Sequence, residues 1–147
     1  MKYKTPVSVL VVIHTPAFEV LLLERAAHPG YWQSVTGSVE DGESLRQTAL
    51  REVAEETGIV APDEALIDWR QSQIFEIFPE WRHRYAPGVT HNTEHAFSLE
   101  VPRDTPIRTA PKEHRGHCWL PLDEAAAKVF SWSNRDAILA LPQRRPG

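Results

Sequence analysis

Apolar positions along the chain predict alternating strands and helices. Residues 7–13 form a nearly continuous apolar, β-branched run, which suits a strand buried on both faces. The run is broken at His14-Thr15-Pro16 and resumes at residues 20–23, so we expect a hairpin with a loop of moderate length. Residues 94–101 alternate polar and apolar side chains, as a half-buried strand does.

Three further strands are predicted from β-branched and aromatic residues. Residues 66–78 are strand-rich, most clearly from 74 to 78, and residues 117–120 form a shorter apolar stretch. Residues 31–36 predict a short strand that leads directly into Gly37. Between these strands, residues 81–88 form a basic, aromatic loop of a kind that suits a heterocycle carrying phosphates.

Two helices are predicted near the end of the chain. The first starts within residues 121–124 and runs to Val129. Ser133 and Asn134 are residue types that favour helix N-caps, so we expect them to cap a final helix that runs to Leu141.

The clearest helix signal covers residues 45–57. Ser44 and Gln47 have the spacing of a capping box, in which each side chain bonds the other residue's backbone N–H. Gly58 offers the left-handed conformation that commonly ends helices. The sequence therefore predicts both ends of this helix as well as its body.

Three glutamates on this helix lie in an unusual place. At about 100° per residue, with Leu45 at 0°, the apolar arc extends to about 140°, and Glu56 falls at about 20°, inside it. Glu52 falls at about 340° and Glu55 at about 280° by the same geometry. Carboxylates at these spacings repel one another, and a divalent cation such as Mg²⁺ relieves that repulsion. A merely acidic surface helix is the alternative, but it would not place Glu56 among apolar residues.

Composition limits the fold and the partners. With 147 residues, 41% of them hydrophobic, we expect residues 1–147 to form a single domain. No apolar run is long enough to span a membrane and the first residues lack a signal-peptide layout, so we expect a cytoplasmic protein. The net charge of −4 argues against nucleic-acid polymers as partners, so an anionic substrate must be attracted locally.

Cys118 is the single cysteine of the chain. One thiol excludes an internal disulfide and a thiolate zinc cluster. Its neighbours predict a strand, so we interpret Cys118 as a small core residue.

The segment that contains the three glutamates resembles the Nudix box over residues 37–59, with every specified position filled. These positions are Gly37, Glu43, Arg51, Glu52, Val53, Glu55, Glu56, Gly58 and Ile59. The resemblance implies an α+β fold, with a mixed β-sheet between α-helices, and metal-dependent hydrolysis of a nucleoside-diphosphate-like bond.

Strings outside the box resemble the bacterial dihydroneopterin triphosphate diphosphatases, a branch of this family that serves folate synthesis. They occur in the same order along almost the whole chain, at residues 31–39, 75–78, 82–90, 92–94 and 131–135. This resemblance implies that a pterin triphosphate is hydrolysed to dihydroneopterin monophosphate and pyrophosphate.

The resemblance also implies a set of site residues. Glu52 and Glu56 would bind the metal, with Glu113 as a further carboxylate, and the ion would be Mg²⁺ or alternatively Mn²⁺. The positions that match residues around the substrate are Lys4, Arg25, Thr36, Phe75, Glu76, Ile77, Phe78 and Ser131.

We assign roles to some of these residues from their chemistry. Lys4 and Arg25 would attract the triphosphate, while Phe75 and Phe78 would hold the pterin and Glu76 would accept from its ring N–H groups. Either phenylalanine could instead belong to the core.

Two glutamates are candidates for the group that accepts the proton of the attacking water. Glu55 is the first candidate because it lies on the more open side of the stripe, and Glu52 is the alternative. Arg51 would orient a carboxylate through a bidentate pair. Glu43 would stabilise the metal or its bound waters without being a direct ligand of the ion.

Two other functions remain compatible with the sequence. A nucleoside triphosphate diphosphatase would use the same metal chemistry on a purine, whose edge resembles that of a pterin. A ligand-binding module without turnover is the third hypothesis, but it would have no need for the repelling glutamates.

Overall fold

The computed structural model describes residues 2–144, and within them seven strands form one mixed sheet. The strand order is β3-β2-β1-β6-β5, while β4 pairs with β1 and β7 pairs with β2. The strands are β1 (Val7–His14), β2 (Glu19–Arg25), β3 (Trp32–Gln33), β4 (Val35–Ser38), β5 (Leu66–Glu76), β6 (His91–Glu100) and β7 (His114–Pro121).

Strand β1 lies at the centre of this sheet. It runs parallel to β6, from Val7 opposite Thr93 to His14 opposite Glu100, and antiparallel to β4. The expected hairpin with β2 is formed only partially, because the two strands pair where His14 lies opposite Val20 and diverge beyond that point. The side chains of β1 are apolar on both faces, so the strand is most stable where neighbours cover it on every side.

Helices cover both faces of the sheet. Helix α1 (Leu45–Thr57) packs Ala49 and Val53 against the odd-numbered residues of β1. Helices α2 (Leu122–Lys128) and α3 (Trp132–Arg144) pack on the other face, where the core includes Leu10 and Val12. The predicted α+β architecture, a mixed sheet between helices, is confirmed.

Helix α1 has both predicted ends. Its N-cap is Ser44, whose hydroxyl accepts from the Gln47 N–H while the Gln47 side chain accepts from the Ser44 N–H. Gly58 ends the helix with a φ of 78°, and its N–H donates to the Ala54 carbonyl. Local sequence alone was enough to place this element.

The start of α3 differs from the prediction. The helix begins at Trp132, so Ser133 and Asn134 lie inside it, and it extends past Leu141 to Arg144. Ser131 is the residue whose hydroxyl accepts from the Asn134 N–H. The Asn134 side chain instead bonds the backbone N–H and the hydroxyl of Ser34, at 2.8 and 3.0 Å, which ties α3 to the bend between β3 and β4.

The chain turns sharply after β5. The strand ends at Glu76, two residues earlier than predicted, and a 3-10 helix (Pro79–Arg84) occupies the first half of the expected loop. Pro79 lacks the N–H that a further ladder bond would need, which explains the early end. Among the described residues, no helix is long and apolar enough to cross a membrane.

Candidate active site

One large cavity, of about 940 Å³, brings most of the predicted site residues together. Eleven of them line it: Lys4, Arg25, Thr36, Glu52, Glu56, Phe75, Glu76, Ile77, Phe78, Glu113 and Ser131. Glu55 and Arg51 are not among the lining residues. Segments separated by up to 127 positions, from Lys4 to Ser131, thus contribute to the same space.

The acids of α1 lie where the helical wheel placed them. Glu56 is 2% exposed, the Glu52 side chain is 13% exposed, and the Glu55 side chain is 54% exposed. A Cβ at Gly37 would overlap the carboxyl group of Glu52, so only glycine lets β4 approach α1 this closely. The sheet and the helix therefore meet at the carboxylates.

Glu56 is poorly compensated by its surroundings. Its pKa is raised well above the usual range, chiefly by burial, and further by a hydrogen bond with Glu52 and by the charges of Glu52 and Glu113. The Thr36 N–H bonds the Glu56 carboxyl group and lowers the pKa, but this effect is smaller. Oε1 of Glu56 has no hydrogen-bond partner.

A divalent cation fits this arrangement. It would neutralise clustered carboxylates and would supply the missing partner of Glu56 Oε1. Within residues 2–144 no three acidic, histidine or cysteine side chains are already gathered as metal ligands, and Glu113 lies exposed at the cavity rim. A metal bound by Glu52 and Glu56 would thus keep positions open for water and substrate oxygens.

Arg51 holds the acids in place from outside the cavity. Its Nη1 lies 2.6 Å from Glu52 Oε1, and its Nε lies 2.7 Å from Glu43 Oε2. The bond from Arg51 lowers the pKa of Glu43 to about 2. The contact with Glu55 is longer, at 3.3 Å. Arg51 thus makes a bidentate pair with Glu43, since its Nη2 also lies 2.9 Å from Glu43 Oε1, and it bonds Glu52 through a single nitrogen.

Sequence reasoning missed His114, the first residue of β7. The imidazole is 5% exposed and its Nε2 lies 3.6 Å from Glu56 Oε1. Burial, with the positive charge of Arg25, lowers the pKa of His114 to about 4, so the ring is neutral and the contact is not an ion pair. No spacing signal connects residue 114 with residue 56, so only the fold reveals this neighbour.

Three cations meet at the cavity without a carboxylate within 4.0 Å in the described part of the chain. Burial lowers the pKa of Lys4 and of Arg25, and the charge of Arg84 lowers both further. Arg84 comes from the predicted basic, aromatic segment, and its carbonyl accepts from the Lys4 N–H at 2.9 Å. Cations without a directly paired carboxylate at this position favour an anion with several charges.

Aromatic side chains form one wall of the cavity. Phe78 and Trp81 have ring centroids 5.0 Å apart, and Phe130 lies about 6 Å from each. The guanidinium of Arg25 lies 4.7 Å from the Trp81 ring centroid, so the wall continues into the cations. Phe75 and Phe78 are both outside the two core clusters, which answers the alternative that either belongs to the core.

The remaining predicted residues have structural contacts of their own. The Thr36 hydroxyl donates to the Val9 carbonyl, and Ser131 caps α3. Ile77 is 3% exposed, and Glu76 pairs with Arg82 at 3.4 Å on the outer rim. Cys118 packs partly buried against the core beside α2 and α3, where burial raises the pKa of its thiol.

A second group that sequence reasoning missed lies on β6. Asn92 and Glu94 are 3% and 8% exposed, and both line the cavity. The alternation of residues 94–101 was recognised, but it did not show that α3 would cover the face on which Glu94 lies.

Comparisons with known proteins agree with this geometry. The NUDIX domain model matches residues 4–141. Dihydroneopterin triphosphate diphosphatase of Escherichia coli (strain K12) is 52% identical over 139 residues, which cover 92% of this chain and 91% of that protein. The protein of the same name from Haemophilus influenzae is 42% identical over 142 residues, covering 94% and 88%.

A solved structure gives the same result. The structure of the E. coli dihydroneopterin triphosphate pyrophosphohydrolase matches with a TM-score of 0.87 and 50% identity, over 94% of this chain and 95% of that one. The family model spans nearly the whole described chain, and two glutamates of its characteristic motif, Glu52 and Glu56, line the cavity. This chain therefore belongs to the Nudix family.

Proposed function

We propose that this protein hydrolyses 7,8-dihydroneopterin 3'-triphosphate to dihydroneopterin monophosphate and pyrophosphate, as a cytoplasmic step of folate biosynthesis. The observation that carries the proposal is the cavity itself, which combines carboxylates, cations without a directly paired carboxylate and an aromatic wall in one space. The identity of 52% to a relative with this activity in its name supports the same substrate.

The cavity divides the work among its residues. Lys4, Arg25 and Arg84 attract the triphosphate and hold it beside the acids. Phe78 and Trp81 offer aromatic faces to the pterin ring. The phosphates are thereby directed toward Glu52 and Glu56, where water cleaves one phosphoanhydride linkage: a new P–O bond forms to the water oxygen and the P–O bond to the bridging oxygen breaks.

Nudix hydrolases use divalent metal ions, and we assign Mg²⁺ to this site, with Mn²⁺ as the alternative. Glu52 and Glu56 would hold the ion, and Glu113 would approach it from the rim. When bound, the ion neutralises charge on the phosphate oxygens and lowers the pKa of a water molecule.

The proton of the attacking water goes to a carboxylate of α1. Glu52 lines the cavity, whereas Glu55 lies outside its lining and is 54% exposed. Of the two candidates, the geometry therefore favours Glu52, with Arg51 holding its carboxylate in position at 2.6 Å. Glu55→Gln separates the two candidates, because it should keep most of kcat if Glu52 is the acceptor and lose most of it if Glu55 is. Glu52→Gln alone would not decide, since it also removes a proposed metal ligand.

Pyrophosphate release from dihydroneopterin triphosphate with Mg²⁺ tests the proposal, beside dATP and dGTP. We expect the pterin substrate to have the highest kcat/KM, and Glu56→Gln to lose at least ~100-fold in kcat because its metal position is incomplete. Equal or better turnover of a nucleotide would assign the protein to nucleotide-pool cleansing. Binding without release would leave a non-catalytic module.

A metal-binding readout complements the assay. Adding Mg²⁺ should raise the thermal midpoint of the wild-type protein, because an ion that binds only the folded state stabilises it. The rise should be absent or much smaller in Glu56→Gln. An equal rise in both proteins would show that the ion binds elsewhere.

A further inference from the structure

Glu94 and Asn92 form a polar floor of the cavity, and the proposed catalytic chemistry uses neither residue. Glu94 pairs with Ser8 across β6 and β1, and Ala96 pairs with Leu10 in the same register. Since Leu10 packs in the core on the α3 side, Glu94 lies on that face of the sheet, while α1 and its acids pack on the other. Glu94 thus enters the cavity from the face opposite the metal-binding residues.

Glu94 is a buried carboxylate without a cationic partner. It is 8% exposed, and no lysine, arginine or histidine nitrogen among residues 2–144 lies within 4.0 Å of it. Its described polar contact is a hydrogen bond from the side chain of Ser133. A carboxylate has about four acceptor sites, so capacity remains for N–H donors from a ligand.

Asn92 supplies an independent sign of a missing ligand. It is 3% exposed and lines the same cavity two residues before Glu94, on the same side of β6. Its Nδ2 donates to the Ser8 hydroxyl at 2.7 Å, but its Oδ1 has no partner. A buried amide oxygen without a donor is costly unless a bound molecule supplies one.

Glu94 and Asn92 both line the cavity and together carry three acceptor oxygens, of which Asn92 Oδ1 has no partner. The matching ligand is a ring edge that carries several N–H donors and no acceptor between them. The 2-amino-4-oxopyrimidine edge, shared by pterins and guanine, has a ring N–H beside an exocyclic amino group. An adenine edge would instead direct its ring N1 lone pair at the carboxylate.

We infer that Glu94, with Asn92 beside it, determines specificity by accepting hydrogen bonds from the 2-amino-4-oxopyrimidine edge of the substrate's heterocycle. The inference rests on the proposed function, because it names the group that selects the pterin end of that substrate. It also moves this role from Glu76, the sequence-based candidate, to a different residue.

The surroundings support Glu94 over Glu76. The Glu76 side chain is 66% exposed and already pairs with Arg82, so water and an arginine compete for its oxygens. Phe75 lies opposite Asn92 in the β5–β6 register, so an aromatic side chain stands next to the floor. Burial raises the pKa of Glu94 to about 7, so ligand N–H donors would stabilise the charged form that the protein alone compensates poorly.

Binding of 7,8-dihydroneopterin, which has no phosphates, tests the inference without the metal or the cations. Calorimetric titration in EDTA should show Glu94→Gln binding about 10- to 100-fold more weakly than the wild type, because its amide group presents a donor to a donor. Glu100→Gln is the matched control, since Glu100 is exposed at the end of the same strand and outside the cavity lining. It should bind as the wild type does.

Two nucleotides provide a second test. dGTP and dITP differ only in the 2-amino group, so the wild type should prefer dGTP in kcat/KM, and this preference should fall toward 1 in Glu94→Gln. If Glu94→Gln does not fold, Glu94→Asp, which keeps the charge but withdraws it by one methylene, takes its place in both measurements.

The outcomes separate the inference from the proposed function. Unchanged dihydroneopterin affinity in the Glu94 variant, or no binding by the wild type, overturns the inference. If the wild type binds dihydroneopterin but releases no pyrophosphate from its triphosphate, the proposed function is overturned. The role of Glu94 in recognising the ring is then decided by the dihydroneopterin affinities alone.

Discussion

At the level of single residues, Gly37 is constrained by its neighbour and not by its own backbone. Its φ is not among the positive values found at Gly30, Gly42, Gly58 and Gly88, so alanine could adopt its conformation. The obstacle is Glu52, whose carboxyl group occupies the space of a Cβ. We predict that Gly37→Ala displaces this carboxylate and lowers kcat about 100-fold, because a small misplacement of a reacting group has effects of that size.

Gly116→Ala is the control for this prediction. Gly116 also lacks a positive φ, and a Cβ there would meet no atom within 4 Å. Pyrophosphate release should be close to wild type in Gly116→Ala. Full activity in Gly37→Ala would show that the acids tolerate a shift, and would contradict the proposed role of Glu52.

Glu94 should reveal its burial through the pH dependence of stability. Its pKa is raised from 4.5 to about 7 in the folded protein, so between these values the folded state binds more protons than the unfolded state. The stability associated with the protonated group is therefore present below pH 4.5 and is lost as the pH rises through 7. Relative to Glu94→Gln, the wild type should lose on the order of 3 kcal/mol between pH 4.5 and pH 8.

Urea denaturation of both metal-free proteins across this range measures the difference directly. Subtracting the two curves removes the contributions of groups that titrate equally in both. If the free energies of unfolding of the two proteins changed equally with pH, Glu94 would be solvated, which would weaken the case for a ligand-binding carboxylate.

At the level of elements, the loop before α1 is attached to the helix by one ion-pair network. Glu43 accepts from Arg51 Nε and Nη2 at 2.7 and 2.9 Å, and from the Thr48 hydroxyl at 2.9 Å. These bonds join the residue before the N-cap to the middle of the helix. They hold the loop that leads from Gly37 into α1 and so support the position of the acids.

This network predicts a loss of stability in acid. The pKa of Glu43 is depressed from 4.5 to about 2, so its contribution is present above pH 4.5 and is lost as the pH falls toward 2. Glu43→Gln should cost about 1 kcal/mol at pH 7 and should flatten the decline below pH 4.5. Glu64→Gln, at an exposed residue of a 3-10 helix, serves as the control in the same unfolding experiments. If the free energy of unfolding declined equally below pH 4.5 in the wild type and in Glu43→Gln, the prediction would be contradicted.

At the level of the whole molecule, we propose that the phosphates and the ring of the substrate occupy different parts of the cavity. The net charge is −4, yet Lys4, Arg25 and Arg84 form a local positive patch. We predict that Arg84→Gln lowers kcat/KM for the triphosphate by about 10-fold, through the loss of one charged contact, and leaves dihydroneopterin affinity unchanged. Glu94→Gln should affect both measurements, because the ring is present in both ligands.

Arg103→Gln is the control for this comparison, since Arg103 lies over Trp119 and pairs with Glu19, away from the cavity lining. It should change neither quantity. Weaker binding of phosphate-free dihydroneopterin by Arg84→Gln would show that the two ends of the cavity are not independent.

Relations between nearby residues were accessible from sequence because the helix imposes them. Helix α1 has the predicted bounds, capping box and glycine stop, and the depth of its glutamates follows the predicted wheel. Hydrogen bonds four residues apart and a 3.6-residue turn decide these features without help from the rest of the chain. Strand β6 was likewise predicted from its alternating side chains, but its half-buried character was wrong, since the consecutive residues Phe97, Ser98 and Leu99 are all buried between helices on the two faces.

Relations between distant residues were decided only by the tertiary structure. The partners of β1, the meeting of Arg84 with Lys4, the contact of His114 with Glu56 and the burial of Glu94 beneath α3 all depend on how separate segments cross. Spacing along the chain carries no information about such crossings, because loops of many lengths close at similar entropic cost. The motif thus identified the family, whereas packing determined which carboxylates line the cavity and on which face of the sheet each one lies.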